Sequence, residues 1–226
     1  MSNRRSPGGT RRRPRRTREA CETPWCRAAM TPTDHGRPVP RETWDHQYRA
    51  GAFEFLDSID ELAHYVIVAG YVRTLFTRPA ILDVGCGHGR LVEVLEGFPF
   101  KHYHGIDVSS EAIRRGRRRA TRKTTFDVAD FDAWNPPKRF DVIVFCESLN
   151  YARHPASTLL RYARALEGSG AIIVSLYRYR KPGGIVRQTW KNIEAHFAIV
   201  DSTTVTNRRG QTWDVKVLRP KTEGTN

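Results

Sequence analysis

Apolar residues along the chain occur in short runs that alternate with segments of helical periodicity. Strands are predicted at 79–84, 102–107, 124–128, 140–146 and 170–176, and helices at about 88–97, 109–122 and 156–166. A helix at 185–195 and two strands at 197–205 and 211–218, joined by a turn at 207–210, follow. Such alternation is typical of successive βαβ units. It predicts an α/β fold with a mostly parallel sheet of seven strands that ends in a hairpin.

Residues 1–40 differ from the rest, being rich in Arg, Pro, Thr and Gly without helical or strand periodicity. This composition predicts a disordered basic tail before a domain at 41–226. Met1 and Met30 are the only methionines. Three interpretations therefore stay open: a tail that is not translated because synthesis starts at Met30, an arm for nucleic acid, and a plain solvated tail.

Two segments precede the first strand. Ordered structure is expected near Glu42, in a short aromatic segment that ends at Gly51. A longer helix should follow, capped by Asp57 or Ser58, with a broad apolar face that extends to Leu75.

Composition narrows the class of protein. A chain of 226 residues can bury the core of one α/β domain. No apolar run reaches the roughly 20 residues of a membrane-spanning helix, and no secretory signal is visible. We therefore expect a soluble, cytoplasmic protein, monomeric or homodimeric, without membrane contacts. The four cysteines lack paired metal-ligand spacing, so reduced thiols and no metal site are expected.

The strongest chemical signal is the glycine-rich run ILDVGCGHGR after the first strand. Gly85, Gly87 and Gly89 would let a ligand approach the backbone closely. A dinucleotide fingerprint requires a third small residue where Arg90 stands. Asp83 would also repel a pyrophosphate, whereas it would suit a ligand with a cationic ammonium or sulfonium group.

This loop, followed by an acid that ends the second strand, resembles that of the class I S-adenosylmethionine-dependent methyltransferases. The resemblance covers roughly residues 42–219 and implies a Rossmann-like sheet of seven strands with helices on both faces and an antiparallel terminal strand. It implies S-adenosyl-L-methionine as the cofactor. The residues that it assigns to the methionine and ribose portions are Gly85, Cys86, Gly87 and Gly89, with Asp83 near the amino end.

The resemblance also assigns residues at the ends of the second and third strands. Asp107, followed by Val108, falls where the family places an acid on the ribose hydroxyls; a helix-capping role is its alternative. Asp130 and Phe131 resemble the adenine site. Asp127 or Asp132 could take that acidic role instead.

Trp44 and Tyr48 resemble the lid segment that many relatives lay over the methionine carboxylate. A helix that only packs on the domain is the alternative interpretation, because aromatic pairs at helical spacing are common in both.

Candidate catalytic residues lie after the fourth and fifth strands, where open α/β sheets bind ligands. Cys146 is assigned to the cofactor pocket. Glu147 could be a general base whose pKa is raised by partial burial, or it could merely line the pocket. His154 could deprotonate a hydroxyl, and Tyr177 faces the same rim. A base is not obligatory, because the sulfonium already activates the methyl group.

Three functions are compatible with this sequence. The leading hypothesis is methyl transfer to an oxygen or nitrogen of a small-molecule acceptor by in-line displacement. The main alternative is an RNA or protein methyltransferase that uses the basic tail and the Arg-rich helix 111–123, whose charges could also form a solvated face. The third is an S-adenosylmethionine-binding protein without catalysis.

Overall fold

The computed structural model describes residues 39–178 and 185–221. The predictions for the basic tail, for a start at Met30 and for Cys21 and Cys26 lie outside the described residues. Seven strands form one sheet: β1 (Ala80–Val84), β2 (His102–Asp107), β3 (Thr124–Val128), β4 (Phe140–Cys146), β5 (Leu166–Tyr177), β6 (Phe197–Thr206) and β7 (Thr212–Pro220).

The sheet has the strand order β3-β2-β1-β4-β5-β7-β6. The first five strands are parallel, whereas β7 runs antiparallel to both β5 and β6. The last strand in sequence is thus inserted beside β5, and β6 forms the edge. The predicted seven-stranded, mostly parallel sheet with an antiparallel terminal strand is confirmed.

Six α-helices connect these strands within the described residues: α1 (Arg41–Arg49), α2 (Ile59–Leu75), α3 (Arg90–Val94), α4 (Ser110–Gly116), α5 (Pro155–Ala163) and α6 (Ile185–Glu194). Three are shorter than predicted. Helix α3 begins after Gly89, whose φ of 85° is left-handed, and Gly97 (φ 76°) follows it closely. Helix α4 gives way to a 3-10 turn at Arg117–Arg119. The Arg-rich segment 111–123 is therefore not one helix.

Strand β5 begins earlier than the predicted residue 170, because Leu166 pairs with Phe140. The register then shifts between Phe140 and Val142, and the intervening residues of β5 form a bulge. Gly168 and Gly170 interrupt the apolar pattern there, which hid the start of the strand. The same pairing ends α5 at Ala163 rather than at residue 166.

The core has two layers because successive side chains of a strand point to opposite faces. Ile81 packs with Val68 and Val72 of α2 on one face. Leu82 packs with Tyr162 of α5 on the other face, in a cluster that also contains residues of α6. Helices therefore cover both faces of the sheet. No helix in the described ranges is long and apolar enough to cross a membrane.

Candidate functional site

One cavity of about 220 Å³ opens at the edge where the parallel strands β1 to β5 end. Strand β7 runs the other way, so its first residues reach the same edge, with Trp213 opposite Tyr177. The glycine-loop half of the cavity is lined by Trp44, Tyr48, Gly85, Cys86, Gly87, His88, Asp107, Val108, Asp130 and Phe131. The β5 half is lined by Glu61, Tyr65, Cys146, Glu147, Tyr177, Gln211 and Trp213.

The glycine loop needs its glycines for two different reasons. Gly85 and Gly87 have φ of 72° and 55°, and both line the cavity. A Cβ on Gly85 would lie 2.4 Å from Cβ of Ser148, and one on Gly87 would lie 2.7 Å from Oη of Tyr48. A Cβ on Gly89 would point the other way and lie 3.1 Å from the ring of Phe126, and Gly89 is not part of the cavity lining. Gly89 therefore shapes the loop, whereas the other two leave room in the cavity.

Asp107 ends β2 beside this loop and lines the cavity. Its Oδ2 accepts a hydrogen bond from the Gly87 amide (2.9 Å), and its Oδ1 accepts one from the Ser109 amide (2.8 Å). Burial raises the pKa of Asp107 to about 6, while the two amides oppose that shift. The group is thus an ionised carboxylate at neutral pH. Each oxygen has a second lone pair, which leaves capacity to accept from two ligand hydroxyls.

Asp83 lies beneath the loop, where it is 1% exposed and is not part of the cavity lining. Its Oδ2 accepts a hydrogen bond from the Tyr103 hydroxyl, while Oδ1 has no partner within the described part of the chain. Burial raises the pKa of Asp83 to about 7. The structure therefore does not bring Asp83 into the cavity, because the alternation along β1 turns this side chain toward α2; its role near a cationic group stays a prediction.

The predicted adenine site lies where β3 ends. Asp130 and Phe131 line the cavity, and so does Asp132. Asp127 instead pairs with His104 (2.8 Å between Oδ2 and Nε2), away from the lining. Asp132 already accepts from the Arg153 amide (3.1 Å). Asp130 is the more exposed of the two lining acids and stays the predicted adenine ligand.

Helix α1 covers the glycine-loop half. Trp44 and Tyr48 line the cavity, and both rings pack on Phe53, with centroid distances of 5.9 and 4.4 Å. Asp45 ties the helix to the start of α4. Its carboxylate accepts hydrogen bonds from the Ser109 hydroxyl, the Ser110 hydroxyl and the Glu111 amide. These contacts favour the lid interpretation, and the lid role itself stays a prediction.

Glu147 follows β4 and is the only residue other than glycine with a positive φ (57°) among the described residues. Its Oε1 accepts from the Ser175 hydroxyl (2.7 Å) and its Oε2 from the Tyr177 amide (2.9 Å). Burial raises the pKa of Glu147 to about 8, and the charges of Glu61 and Asp214 add to the shift. Strained backbone and a displaced pKa are common at functional sites, which supports Glu147 as an acid-base group.

The other two catalytic candidates are placed differently. Tyr177 lines the β5 half next to Glu147. His154 is exposed at the N-cap of α5, immediately before Pro155, and does not belong to the cavity lining. The structure therefore does not bring His154 to the site, because the loop after Tyr151 carries it to the surface.

Several lining residues have no sequence motif to mark them. Glu61 and Tyr65 are spaced four apart on α2, and Trp213 lies at the start of β7. Glu61 was predicted only as a first-turn helix residue. Its i,i+4 spacing from Tyr65 indicates a shared face. Only the antiparallel insertion of β7, however, shows that this face meets the ends of β4 and β5.

The glycine-loop half fits S-adenosylmethionine in its donor set. A cradle that excludes a Cβ, a carboxylate with spare acceptor capacity and a buried, unpartnered acidic oxygen beneath the loop suit a ribose-bearing cationic ligand. Among the described residues, no cluster of three His, Cys, Asp or Glu side chains is arranged to hold a metal ion.

Comparison with known proteins agrees with this geometry. A family model described as a methyltransferase domain matches residues 44–216. Malonyl-[acyl-carrier protein] O-methyltransferase of Paenibacillus sp. is 28% identical over 109 residues, which are 45% of this chain and 40% of that protein. Trans-aconitate 2-methyltransferase of Methylobacterium nodulans is 32% identical over 97 residues, 42% of this chain and 37% of that protein. The matches thus span about two fifths of these relatives.

A solved structure extends the likeness of the fold. N-methyltransferase NodS of Bradyrhizobium japonicum, determined with S-adenosyl-L-homocysteine, superposes with a TM-score of 0.66 at 15% identity and covers 79% of this chain and 98% of that one. The family match begins within α1, includes the glycine loop and ends within the antiparallel β7. The chain therefore belongs to the class I S-adenosylmethionine-dependent methyltransferases.

Proposed function

We propose that this protein transfers a methyl group from S-adenosylmethionine to an oxygen or nitrogen of a small-molecule acceptor by in-line displacement. The observation that carries the proposal is one cavity that joins the glycine loop under α1 to a region lined by aromatic and acidic side chains. When bound, the cofactor supplies a methyl group made electrophilic by its sulfonium sulfur.

The protein's own contribution is mainly positioning. Gly85 and Gly87 admit the ligand to the backbone, and Asp107 accepts from the ribose hydroxyls. Trp44 and Tyr48 cover this half and exclude water from it. Positioned reactants in a water-free site gain much of the rate that a methyl transfer needs. Glu147 is the acid-base candidate in the β5 half.

The small-molecule class is supported by the relatives. The curated relatives are named for methylation of trans-aconitate and of a malonyl group on an acyl-carrier protein. One relative is named an O-methyltransferase, another is named for the carboxylic acid trans-aconitate, and NodS is named an N-methyltransferase.

The alternative of an RNA or protein acceptor gains little from the arginines of segment 111–123. Arg114 and Arg115 pair with Glu111, Arg117 contacts Asp127, and Arg119 pairs with Glu93. Arginines that are held by the chain's own carboxylates are less available to phosphate groups. For these four arginines, the contacts favour a solvated, internally paired surface over a nucleic-acid interface.

The proposal is tested by incubating the full chain with methyl-labelled S-adenosylmethionine and, separately, small metabolites, total RNA and total protein. Label should enter the small-molecule fraction and S-adenosylhomocysteine should accumulate. Label in RNA or protein would replace the proposed acceptor class. Tight cofactor binding without turnover on any of the three would favour the non-catalytic alternative.

A further inference from the structure

The β5 half of the cavity contains acidic side chains that no lysine or arginine of its described lining neutralises, and the inference drawn from them rests on the proposed function. Two carboxylates, Glu61 and Glu147, line this half. The rings of Tyr65, Tyr177 and Trp213 line it as well. The charge state of the two acids therefore decides which acceptors this half can hold.

Glu61 is held by a neutral partner. Its Oε2 lies 3.3 Å from Nε2 of His64, and Nδ1 of His64 lies 3.5 Å from Sγ of Cys146. Burial raises the pKa of the Cys146 thiol, so that the thiol donates to Nδ1 and Nε2–H donates to Glu61. Burial also lowers the pKa of His64, which is fully enclosed. The imidazole thus adds no positive charge.

The free oxygen of Glu61 is available to a ligand. The side chain is 8% exposed, and Oε1 has no hydrogen-bond or ion-pair partner within residues 39–178 and 185–221. Because Glu61 belongs to the cavity lining, this oxygen can be reached by a molecule that enters the β5 half. A buried carboxylate without a counter-charge is costly, and a ligand that donates to it removes that cost.

Glu147 receives only neutral donors, from Ser175 and Tyr177. The nearby Asp214 is already paired with Arg178 at 2.6 Å, so the arginine charge is taken up there. The groups that face Glu147 are thus Glu61 from α2, Asp214 from β7, and Ser175 and Tyr177 from β5.

Positive side chains in the described lining belong to the other end of the cavity. Arg90 pairs with Glu93 at 2.8 Å, and Arg153 contacts Asp132 at 3.9 Å beside the end of β3. The described lining of the β5 half contains no lysine or arginine. An acceptor with its own carboxylate would therefore meet repulsion, whereas a cation would meet two acids and several aromatic faces, which attract ammonium groups.

We propose that the acceptor is a small amine, which binds as an ammonium ion between Glu61 and Glu147 and loses a proton to Glu147 before it is methylated. The bound ammonium charge first displaces to solvent the proton that Glu147 holds at neutral pH. A proton then leaves the nitrogen for the Glu147 carboxylate, and the lone pair that is freed forms the new bond to the methyl carbon. The carbon–sulfur bond breaks with its electrons going to sulfur, which becomes a neutral thioether. The product is a methylated ammonium ion, and Glu147 returns its proton to solvent.

The test measures binding, so that it does not depend on turnover of a particular substrate. Protein saturated with S-adenosylhomocysteine is titrated at neutral pH with three probes of similar shape: phenethylamine, phenethyl alcohol and hydrocinnamate. We expect the amine to bind at least about 10-fold more tightly than the alcohol, which a charge-assisted hydrogen bond provides, and the acid to bind most weakly. Titration in buffers of different ionisation enthalpy should show proton release with the amine only.

Matched variants locate the effect. Glu61→Gln combined with Glu147→Gln should abolish the preference for the amine and the proton release while leaving the affinity for S-adenosylhomocysteine unchanged. Glu167→Gln, an exposed acid at the start of β5, should behave as wild type. Thermal unfolding checks that each variant is folded, and the single variant Glu61→Gln, which keeps Glu147, should lose part of the preference.

Two outcomes are distinguished. If S-adenosylhomocysteine binds but the protein binds the amine no more tightly than the alcohol, the amine proposal is overturned and the proposed function is untouched. The same holds if none of the three probes binds. If S-adenosylhomocysteine itself does not bind, the proposed function fails first.

Discussion

The two halves of the cavity place buried carboxylates in opposite surroundings. Asp107, in the glycine-loop half, receives two backbone amides, and its pKa rises only to about 6. Glu147, in the β5 half, receives one amide and one hydroxyl and faces other acids, and its pKa rises to about 8. The carboxylate of the first half thus stays ionised at neutral pH, whereas that of the second half can exchange a proton near neutral pH.

The largest expected effect concerns the fixed charge of the glycine-loop half. Asp107→Asn should weaken S-adenosylhomocysteine binding about 100-fold, because two charge-assisted hydrogen bonds lose their acceptor charge at a combined cost of roughly 3 kcal/mol. Calorimetric titration measures the change. Asp201→Asn, an exposed acid on β6, is the control and should bind normally. Equal affinity in both variants would remove Asp107 from the cofactor site.

A second prediction, on the same half, distinguishes the steric clash of an added Cβ from the strain of a left-handed backbone. Gly87→Ala puts a Cβ 2.7 Å from Oη of Tyr48, whereas Gly97→Ala, at a similar positive φ, meets nothing within 4 Å. Both should lose stability by about 1 kcal/mol through left-handed strain. Only Gly87→Ala should also lose cofactor affinity, by about 10- to 30-fold, or roughly 2 kcal/mol. Titration with S-adenosylhomocysteine measures the loss of affinity, and thermal unfolding measures the loss of stability. An equal loss of affinity in Gly97→Ala would show that the effect does not come from the clash at Gly87.

The third prediction uses pH. The ionised form of Asp107 accepts from the ribose, so ligand binding competes with protonation, and affinity should fall as the pH drops through about 6. At about pH 5 roughly one tenth of the groups would be ionised, and binding should be about 10-fold weaker than at neutral pH. The variant Asp107→Asn should not show this fall in affinity at low pH. A pH dependence that survives in the variant would assign it to another group.

The smallest expected effect comes from the β5 half. Because the pKa of Glu147 is raised in the folded state, the folded state holds a proton between about pH 4 and pH 8 that the unfolded chain does not, and stability falls as the pH rises through that window. Glu147→Gln should therefore unfold at a higher temperature than wild type above pH 8, by roughly 4 °C. At about pH 4 the two should coincide. A variant that is less stable at high pH would show that Glu147 is ionised and well solvated.

The same comparison shows what the sequence could reveal. Gly85, Gly87 and Asp107 were identified because short stretches of chain, next to strand ends, carry all the chemistry of that half. The seven strands and the terminal hairpin were predictable because apolar periodicity and turns are local patterns, whereas the antiparallel last strand followed from the family resemblance. Asp83 was predicted to lie near the amino end of the cofactor, but the structure places its side chain beneath the loop and outside the cavity lining, which depends on strand alternation.

The β5 half was mostly beyond prediction for a physical reason. Glu61, Tyr65 and Trp213 come from elements that are far apart in the sequence and meet only after β7 inserts beside β5. Glu147 was found because it directly follows a strand. His154 was predicted for the same reason, but the chain turns it outward at the start of α5. Proximity to a strand end is therefore a useful signal for this cavity but neither a necessary nor a sufficient one.

The most direct test of the account is one set of calorimetric titrations with S-adenosylhomocysteine on the wild-type chain, Asp107→Asn and the combined Glu61→Gln and Glu147→Gln variant. The account predicts a single binding site in the wild type, a loss of about 100-fold in Asp107→Asn and unchanged affinity in the double variant. No binding to the wild type, or a loss in the double variant as large as that in Asp107→Asn, would contradict the division of the cavity into a cofactor half and an acceptor half.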